Sequence, residues 1–107
     1  MGKRAPFTLS FAPQAVAQLD LIESKYHGLL RRTIKEQLTF TPTEVTRNRK
    51  PLEQPAPFQA SWELRCGPDN RFRVFYEVDG EAQAVLVLAV GVKDRSRLLI
   101  GGEEYEL

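Results

Sequence analysis

Trp62-Glu63-Leu64-Arg65-Cys66 is the first of three strand-like segments that decide the fold. The second is Arg71-Phe72-Arg73-Val74-Phe75-Tyr76-Glu77-Val78, and the third is Ala84-Val85-Leu86-Val87-Leu88-Ala89-Val90-Gly91-Val92 followed by Lys93. Typical turn sequences separate them, namely Gly67-Pro68-Asp69-Asn70 and Asp79-Gly80. The spacing predicts a three-stranded antiparallel meander.

Alternation within the first two segments divides the meander into two faces. One face is apolar and is formed by the even-numbered Trp62, Leu64, Cys66, Phe72, Val74, Tyr76 and Val78. The other is charged and is formed by the odd-numbered Glu63, Arg65, Arg71, Arg73 and Glu77. Successive side chains of a strand point to opposite sides, so we expect a buried face and an exposed charged face. The third segment is apolar on both faces, which is typical of a central strand.

The chain before the meander predicts one short strand and two helices. Phe7 to Phe11 alternates between apolar and polar residues, as in a strand with one buried face. An amphipathic helix begins near Pro13 and is predicted to end at Gly28, and a second runs from about Leu29 to Thr39. We expect the two helices to form a hairpin. His27 would then cap the first helix, because an imidazolium is favoured beside the carbonyls of a helix C-terminus.

The stretch from Pro42 to Ala60 contains four prolines and few apolar residues, which predicts a long loop. It carries the basic residues Arg47, Arg49 and Lys50. With the predicted elements, this gives an α+β fold in one domain spanning residues 1–107: an N-terminal strand, a helix hairpin, a three-stranded antiparallel meander and a short C-terminal tail.

Composition limits the class of protein. The longest apolar run, from Ala84 to Val92, is far shorter than the roughly 20 residues of a membrane helix, so we expect a cytoplasmic protein without membrane association. The single cysteine, Cys66, has no internal disulfide partner and is predicted to be a small core residue. Net charge is +1, but residues 1–50 carry nine Lys and Arg against four Asp and Glu, so basic groups are concentrated in the first half.

Four motifs in this order resemble the RelE/ParE superfamily of toxins from bacterial type II toxin-antitoxin systems. They are Asn48-Arg49-Lys50-Pro51-Leu52, Trp62-Glu63-Leu64-Arg65, Phe72-Arg73-Val74-Phe75-Tyr76 and Val87-Leu88-Ala89-Val90-Gly91-Val92-Lys93. The resemblance covers nearly the whole chain and implies a β-α-α-β-β-β fold. It also implies a cognate antitoxin protein as partner.

The superfamily includes ribosome-dependent endoribonucleases that cut mRNA and so inhibit translation, and proteins that act on DNA gyrase. In the nuclease branch, basic residues of the sheet hold and cleave the phosphodiester, and the matching positions here are Arg73, Lys93 and Arg65. The family's two lysines before the Leu-Arg pair correspond to Ser61 and Glu63, and its tyrosine position falls at about Leu99. The resemblance therefore implies an mRNA endoribonuclease, with a non-nuclease protein that binds gyrase or has lost toxicity as the alternative.

The residues themselves suggest how RNA would be cleaved. Attack by the 2′-hydroxyl needs a base and positive charge near the phosphorane, and Glu63 beside Arg65 is a candidate base. The alternative is that the charged face forms ordinary cross-strand ion pairs. Candidate RNA-binding residues are Arg47, Arg49, Lys50, Arg71, Arg95 and Arg97, with Phe75 on the charged face available to stack on a base.

Two further expectations concern ligands and the tail. One Cys and one His at unrelated positions predict neither a metal site nor a cofactor. The tail Glu103-Glu104-Tyr105-Glu106 follows Gly101-Gly102, and one hypothesis is that it folds over the basic face in the manner of an acidic partner.

Overall fold

The structure is a computed structural model and describes residues 5–105. Its elements, in chain order, are β1 (Thr8–Phe11), α1 (Pro13–Asp20), α2 (His27–Leu38), β2 (Arg49–Pro51), β3 (Trp62–Cys66), β4 (Phe72–Asp79), β5 (Ala84–Asp94), β6 (Arg97–Ile100) and β7 (Glu103–Tyr105). The predicted α+β arrangement of a strand, a helix hairpin region and an antiparallel meander is confirmed.

All strands belong to one sheet, in the order β2-β3-β4-β5-β6-β7, with antiparallel neighbours. β1 pairs in parallel with the first half of β5, from Ala84 to Val87, and β6 pairs with its second half, from Gly91 to Asp94. The two strands therefore share one edge of β5. Between them lies the segment 88–90, for which the described part of the chain supplies no strand partner on that edge.

The even-numbered face of β3 and β4 packs on the helices, as the alternation predicted. Its core contains Leu64, Phe72, Val74 and Tyr76, together with Leu19, Leu30, Ile34, Leu38, Val85, Val87 and Val90. The Tyr76 hydroxyl donates to the Pro42 carbonyl at 2.7 Å, and burial raises the pKa of that phenol. Each fully buried aliphatic or aromatic side chain contributes about 1.5–3 kcal/mol.

The odd-numbered face is not simply exposed, in contrast to the expectation. A second apolar cluster covers part of it and consists of Ala60, Phe75, Ala89, Leu98 and Ile100, with Leu52, Phe58, Leu88 and Tyr105 at its border. The cover is the β6–β7 hairpin together with the loop before β3. Sequence alternation in β3 and β4 cannot reveal this cover, because it is supplied by later and earlier parts of the chain.

Residues 103–105 of the tail form part of this cover on the odd-numbered face, and the idea that the tail imitates an acidic partner stays a hypothesis. Gly101 and Gly102 have φ of 62° and 84°, and this pair of positive φ angles makes the two-residue turn of a hairpin. β7 consequently pairs with β6, and the ring of Tyr105 lies 5.8 Å from that of Phe58. Glu106 lies outside the described residues.

The helix boundaries differ from the predicted ones. α1 ends at Asp20, a 3₁₀ turn spans Ser24–Tyr26, and α2 begins at His27, so Gly28 lies inside α2 rather than ending α1. Gly28 is exposed and close to the helix start, where its conformational freedom costs little. The His27 ring nitrogen Nε2 is 2.7 Å from the Ile22 carbonyl. This side chain belongs to the start of α2, and it forms a hydrogen bond with the backbone just after α1.

The predicted long loop contains a strand and a turn. Arg49–Pro51 pairs with Trp62–Leu64, and Pro57–Gln59 forms a 3₁₀ turn. A strand of three residues that ends in proline is too short to show alternation, so periodicity could not find it.

Candidate active site

A cleft of about 330 Å³ lies on the odd-numbered face, beside the second apolar cluster. Its lining includes the four residues predicted to be catalytic, which come from β3, β4 and β5: Glu63, Arg65, Arg73 and Lys93. Lys50 of β2 lies on its wall, and the rim is Leu52, Glu53, Pro55, Ala56, Pro57, Phe75 and Leu98. Four cations therefore face two carboxylates in the cleft, which gives it the positive balance that a phosphodiester requires.

Register explains why two arginines meet here. Arg65 of β3 lies directly opposite Arg73 of β4, and Glu63 lies opposite Phe75. Like charges in directly opposed positions repel, so the pair needs a counter-charge. Glu63 supplies it: its Oε1 lies 3.2 Å from Arg65 Nε and 3.7 Å from Arg73 Nη1. One of these ion pairs, between Glu63 and Arg73, is a cross-strand pair of the expected kind, and the other joins two residues of β3.

Burial distinguishes the members of this group. The side chains of Glu63 and Arg73 are 8% and 7% exposed, whereas that of Arg65 is 38% exposed. Burial lowers the pKa of the Arg73 guanidinium, and the charge of Glu63 opposes that shift. Arg73 Nε also donates to the Asn70 carbonyl at 3.2 Å. The exposed Lys50 and the half-buried Arg65 and Lys93 are therefore the cations that a ligand entering the cleft meets most directly.

A β-bulge in β5 determines which face Lys93 occupies. Phe75 pairs with Ala89, but the next residue of β4, Tyr76, pairs with Val87, so Leu88 is an extra residue. Leu88 and Ala89 both pack on the second apolar cluster, which is the signature of a bulge that carries two residues on one side.

The bulge shifts the alternation of β5 by one residue. Val87 faces the helices before it and Val90 faces them after it. Lys93 therefore joins Arg73 on the cleft side, whereas an uninterrupted strand would have directed it to the side of Val87. The Val90 amide donates to the Gln18 Oε1 of α1 at 2.9 Å, a contact that sequence reasoning missed because glutamine is ordinary at a helix position.

A second, more polar cleft of about 420 Å³ adjoins the first and shares Arg73 and Lys93 with it. Its other lining residues are Asp69, Arg71, Asp94 and Arg95. The Arg71 guanidinium lies over the rings of Tyr26 and Phe72, at 5.7 and 5.5 Å from their centroids. Two predicted RNA-binding residues, Arg71 and Arg95, thus adjoin the candidate site.

The remaining exposed cations nominated as RNA-binding are more peripheral. Arg97 Nη2 lies 3.5 Å from Asp94 Oδ2 in an exposed ion pair, a kind of pair that contributes little to stability. Arg47 is exposed in the loop before β2, and neither cleft is lined by it or by Arg97.

Arg49 does not lie in the cleft, and its expected role in RNA binding is contradicted by its surroundings. It is 5% exposed, and its guanidinium donates to the carbonyls of Gln37 and Thr41. Its Nη1 and Nε also lie within 3.5 Å of the hydroxyls of Thr41 and Thr46. These acceptors belong to the end of α2 and the segment after it, so Arg49 ties β2 to the helix.

Phe75 is likewise unavailable for stacking on a base. Its side chain is 1% exposed, because Leu98 and Ile100 of β6 pack over it. The residue closes one end of the cleft as an apolar wall. Cys66 is buried as predicted, and burial raises the pKa of its thiol to about 11, against the opposing charge of Arg73.

An apolar groove of about 500 Å³ lies apart from the clefts, between β1 and the two helices. Its walls are Phe7, Leu9, Phe11, Val16, Leu19 and Ile34, with Asp20, Arg31, Lys35 and Thr39 at the edge. Val16 is 49% exposed there.

Within residues 5–105 no group of three or more His, Cys, Asp or Glu side chains is arranged to hold a metal ion. None of the helices in this range is long and apolar enough to cross a membrane.

Residues 9–97 match the protein-family model described as the ParE toxin of the type II toxin-antitoxin system parDE. The fold is similar to a chain in the crystal structure of the toxin-antitoxin complex RelBE2 from Mycobacterium tuberculosis, with a TM-score of 0.69 at 22% sequence identity. That match covers 87% of this chain and 98% of the other. A search among curated protein sequences found no significant match.

Proposed function

The chain belongs to the ParE toxin family of type II toxin-antitoxin systems and is the toxin of such a pair, and we propose that it acts by cleaving mRNA on the ribosome. The observation that carries the proposal is the meeting of Glu63, Arg65, Arg73 and Lys93 in one cleft. These residues come from three strands, and together they provide a carboxylate and the positive charge that RNA cleavage uses. Such a target implies a cytoplasmic protein.

The chemistry is an internal transesterification. Glu63 takes the proton of the RNA 2′-hydroxyl, whose oxygen forms a bond to phosphorus. Arg65 and Arg73 face the charge that develops on the non-bridging oxygens. The bond from phosphorus to the 5′-oxygen breaks, and that oxygen takes a proton from Lys93. The products are a 2′,3′-cyclic phosphate and a 5′-hydroxyl end.

The test is induction of the toxin in a bacterium, followed by mapping of RNA 5′-hydroxyl ends. Cuts that follow the codon period in translated mRNA are the expected result. Lys93→Met should reduce their number by about tenfold or more, as befits loss of a general acid. Arg32→Met is the matched control, because Arg32 is an exposed cation of α2 outside the cleft. Cuts confined to untranslated RNA would contradict the proposed dependence of cleavage on the ribosome.

A second candidate function is inhibition by binding, with DNA gyrase as the target. The double ion pair of Glu63 favours it, because one carboxylate neutralises part of the charge of both arginines. The same induction experiment separates the two. Intact mRNA together with double-strand breaks in DNA would support gyrase inhibition, and undisturbed growth would contradict both functions.

We also propose that a cognate antitoxin covers the apolar groove with an amphipathic helix. The groove is lined by apolar side chains of β1, α1 and α2 and edged by Arg31 and Lys35, so it suits a helix with acidic residues beside its apolar face. Val16→Lys should prevent neutralisation by the antitoxin encoded beside the toxin while leaving toxicity unchanged. Continued neutralisation of this variant would place the antitoxin elsewhere.

A further inference from the structure

The edge of β5 has an interruption that the fold must satisfy. β1 ends opposite Val87 and β6 ends opposite Gly91, so within residues 5–105 the backbone between these positions has no neighbouring strand on that side. Val90 lies in this gap and is 1% exposed. A buried amide without an acceptor is costly, so an acceptor must come from outside the sheet.

Gln18 provides that acceptor. It is the polar residue on the buried face of α1, beside Ala15 and Leu19, and it is 9% exposed. Its Oε1 accepts the hydrogen bond from the Val90 amide at 2.9 Å, across 72 residues of sequence. Behind it, a Cβ built on Gly101 would lie 3.6 Å from Gln18 Cγ, so the β6–β7 turn supports the side chain.

We propose that Gln18 is a positioning residue for the cleft: by holding the Val90 amide it maintains the bulge in β5 that directs Lys93 toward Arg73. The bulge at Leu88 lies two residues before Val90, and Lys93 lies three residues after it. Without a bulge, Lys93 would turn toward the helix side and leave the cleft. The functional consequence of this placement rests on the proposed function, in which Lys93 is a cation of the RNA-binding cleft and the proton donor to the leaving oxygen.

The first test needs no RNA. Gln18→Met has nearly the same shape as glutamine but no comparable acceptor, so amide hydrogen exchange at Val90 should accelerate by about tenfold or more while exchange in α2 is unchanged. The rate at which an amine-reactive reagent acylates Lys93, measured by mass spectrometry, should also change. Unchanged exchange and an unchanged Lys93 rate would overturn the proposal.

The second test measures binding of a short fluorescent single-stranded RNA in a double-mutant cycle. Gln18→Met and Lys93→Met should each weaken binding by roughly three- to tenfold and lower the salt dependence by about one phosphate contact. The double variant should bind no more weakly than either single variant, because both remove the same contact. Additive losses would show that Gln18 acts independently of Lys93 and would overturn the proposal.

Two controls separate positioning from simple loss of stability. Ile34→Val removes one methyl group from the same core without touching the bulge and should leave RNA affinity within about twofold. Gln18→Glu keeps an acceptor in either protonation state and should preserve slow exchange at Val90. If Gln18→Met does not fold, Gln18→Asn, which is one methylene too short to reach Val90, replaces it in both tests.

The two tests also separate this inference from the proposed function. Absence of RNA binding by the unmodified protein would contradict the proposed function, and the exchange and acylation measurements would still decide the role of Gln18. Normal RNA binding by Gln18→Met would instead contradict the inference and leave the proposed function in place.

Discussion

Two buried arginines in two regions of the molecule show what burial does and does not say about function. Arg49, at the junction of β2 and α2, is 5% exposed, and Arg73, in the cleft, is 6% exposed. Arg49 is surrounded by neutral acceptors, whereas Arg73 faces the carboxylate of Glu63 and borders two clefts. The kind of acceptor therefore distinguishes a structural arginine from a candidate functional one.

The environment of Arg49 explains its structural role. Gln37 lies in the last turn of α2, where carbonyl groups lack intrahelical partners, and a guanidinium satisfies them while complementing the helix dipole. Among residues 5–105, Arg73 has one backbone acceptor, the Asn70 carbonyl, and it depends on Glu63 for its charge balance. A phosphate could replace that carboxylate as a partner of Arg73, but nothing comparable is possible at Arg49.

The largest effect on stability is expected at Arg49. Arg49→Met leaves the carbonyls of Gln37 and Thr41 without their donor and should lower the free energy of unfolding by about 3 kcal/mol. Urea denaturation measures this loss. Arg47→Met, two residues away in an exposed position, is the control and should change stability by less than about 0.5 kcal/mol. Equal effects at both positions would contradict the structural role of Arg49.

Glu63→Gln should have the next largest effect. It leaves the buried Arg73 without a counter-charge and should lower the free energy of unfolding by about 2 kcal/mol. The reason is that the desolvation cost of the buried guanidinium is then no longer offset by the carboxylate. The substitution should also abolish RNA cleavage while RNA binding is retained. Denaturation and counts of 5′-hydroxyl ends measure the two effects, with the exposed Glu77→Gln as control. Cleavage at the unmodified rate would exclude Glu63 as the base.

Alkaline pH tests how strongly Arg73 influences its surroundings. Burial raises the pKa of the Cys66 thiol from 9.0 to about 11, and Arg73 opposes this shift. A raised folded-state pKa means that the stabilisation is complete below pH 9 and is lost as pH rises toward 11, by at most about 1 kcal/mol per pH unit. Denaturation at several pH values measures this slope, which Cys66→Ala should reduce. A thiol that titrates below pH 9 would show that the charge of Arg73 prevails over burial.

The smallest effect on stability is expected at Lys93. Its side chain is half-buried at the edge of both clefts and has no ion pair among the described residues. Lys93→Met should change the free energy of unfolding by less than about 0.5 kcal/mol, in contrast to its large effect on cleavage. Thermal denaturation measures it. A loss comparable to that of Arg49→Met would make Lys93 a structural residue.

Sequence periodicity predicted the parts of this architecture that depend on alternation. β3 and β4 alternate between apolar and charged residues, so their buried face and the meeting of Glu63, Arg65 and Arg73 could be predicted. Arg47 and Arg49 look equivalent in a basic loop, and only the approach of the end of α2 separates them. Phe75 was predicted to be exposed because its cover comes from β6, far from it in sequence.

The bulge in β5 could not be predicted from the sequence, for a different reason. Every residue from Ala84 to Val92 is apolar or glycine, so a shift in alternation leaves no trace in the pattern. The position of Lys93 came from the family resemblance, and the structure gives the physical reason for it. Gln18 could be recognised only after α1 and β5 were seen in contact.

The parallel pairing of β1 with β5 has a consequence for how the protein folds during its synthesis. Thr8 pairs with Ala84, so β1 cannot find its partner until some 76 further residues have been made. At roughly 5–20 residues per second, this takes about 4–15 s, and closing so long a loop favours slow folding. For that interval β1 and the helices exist without the strand that anchors them.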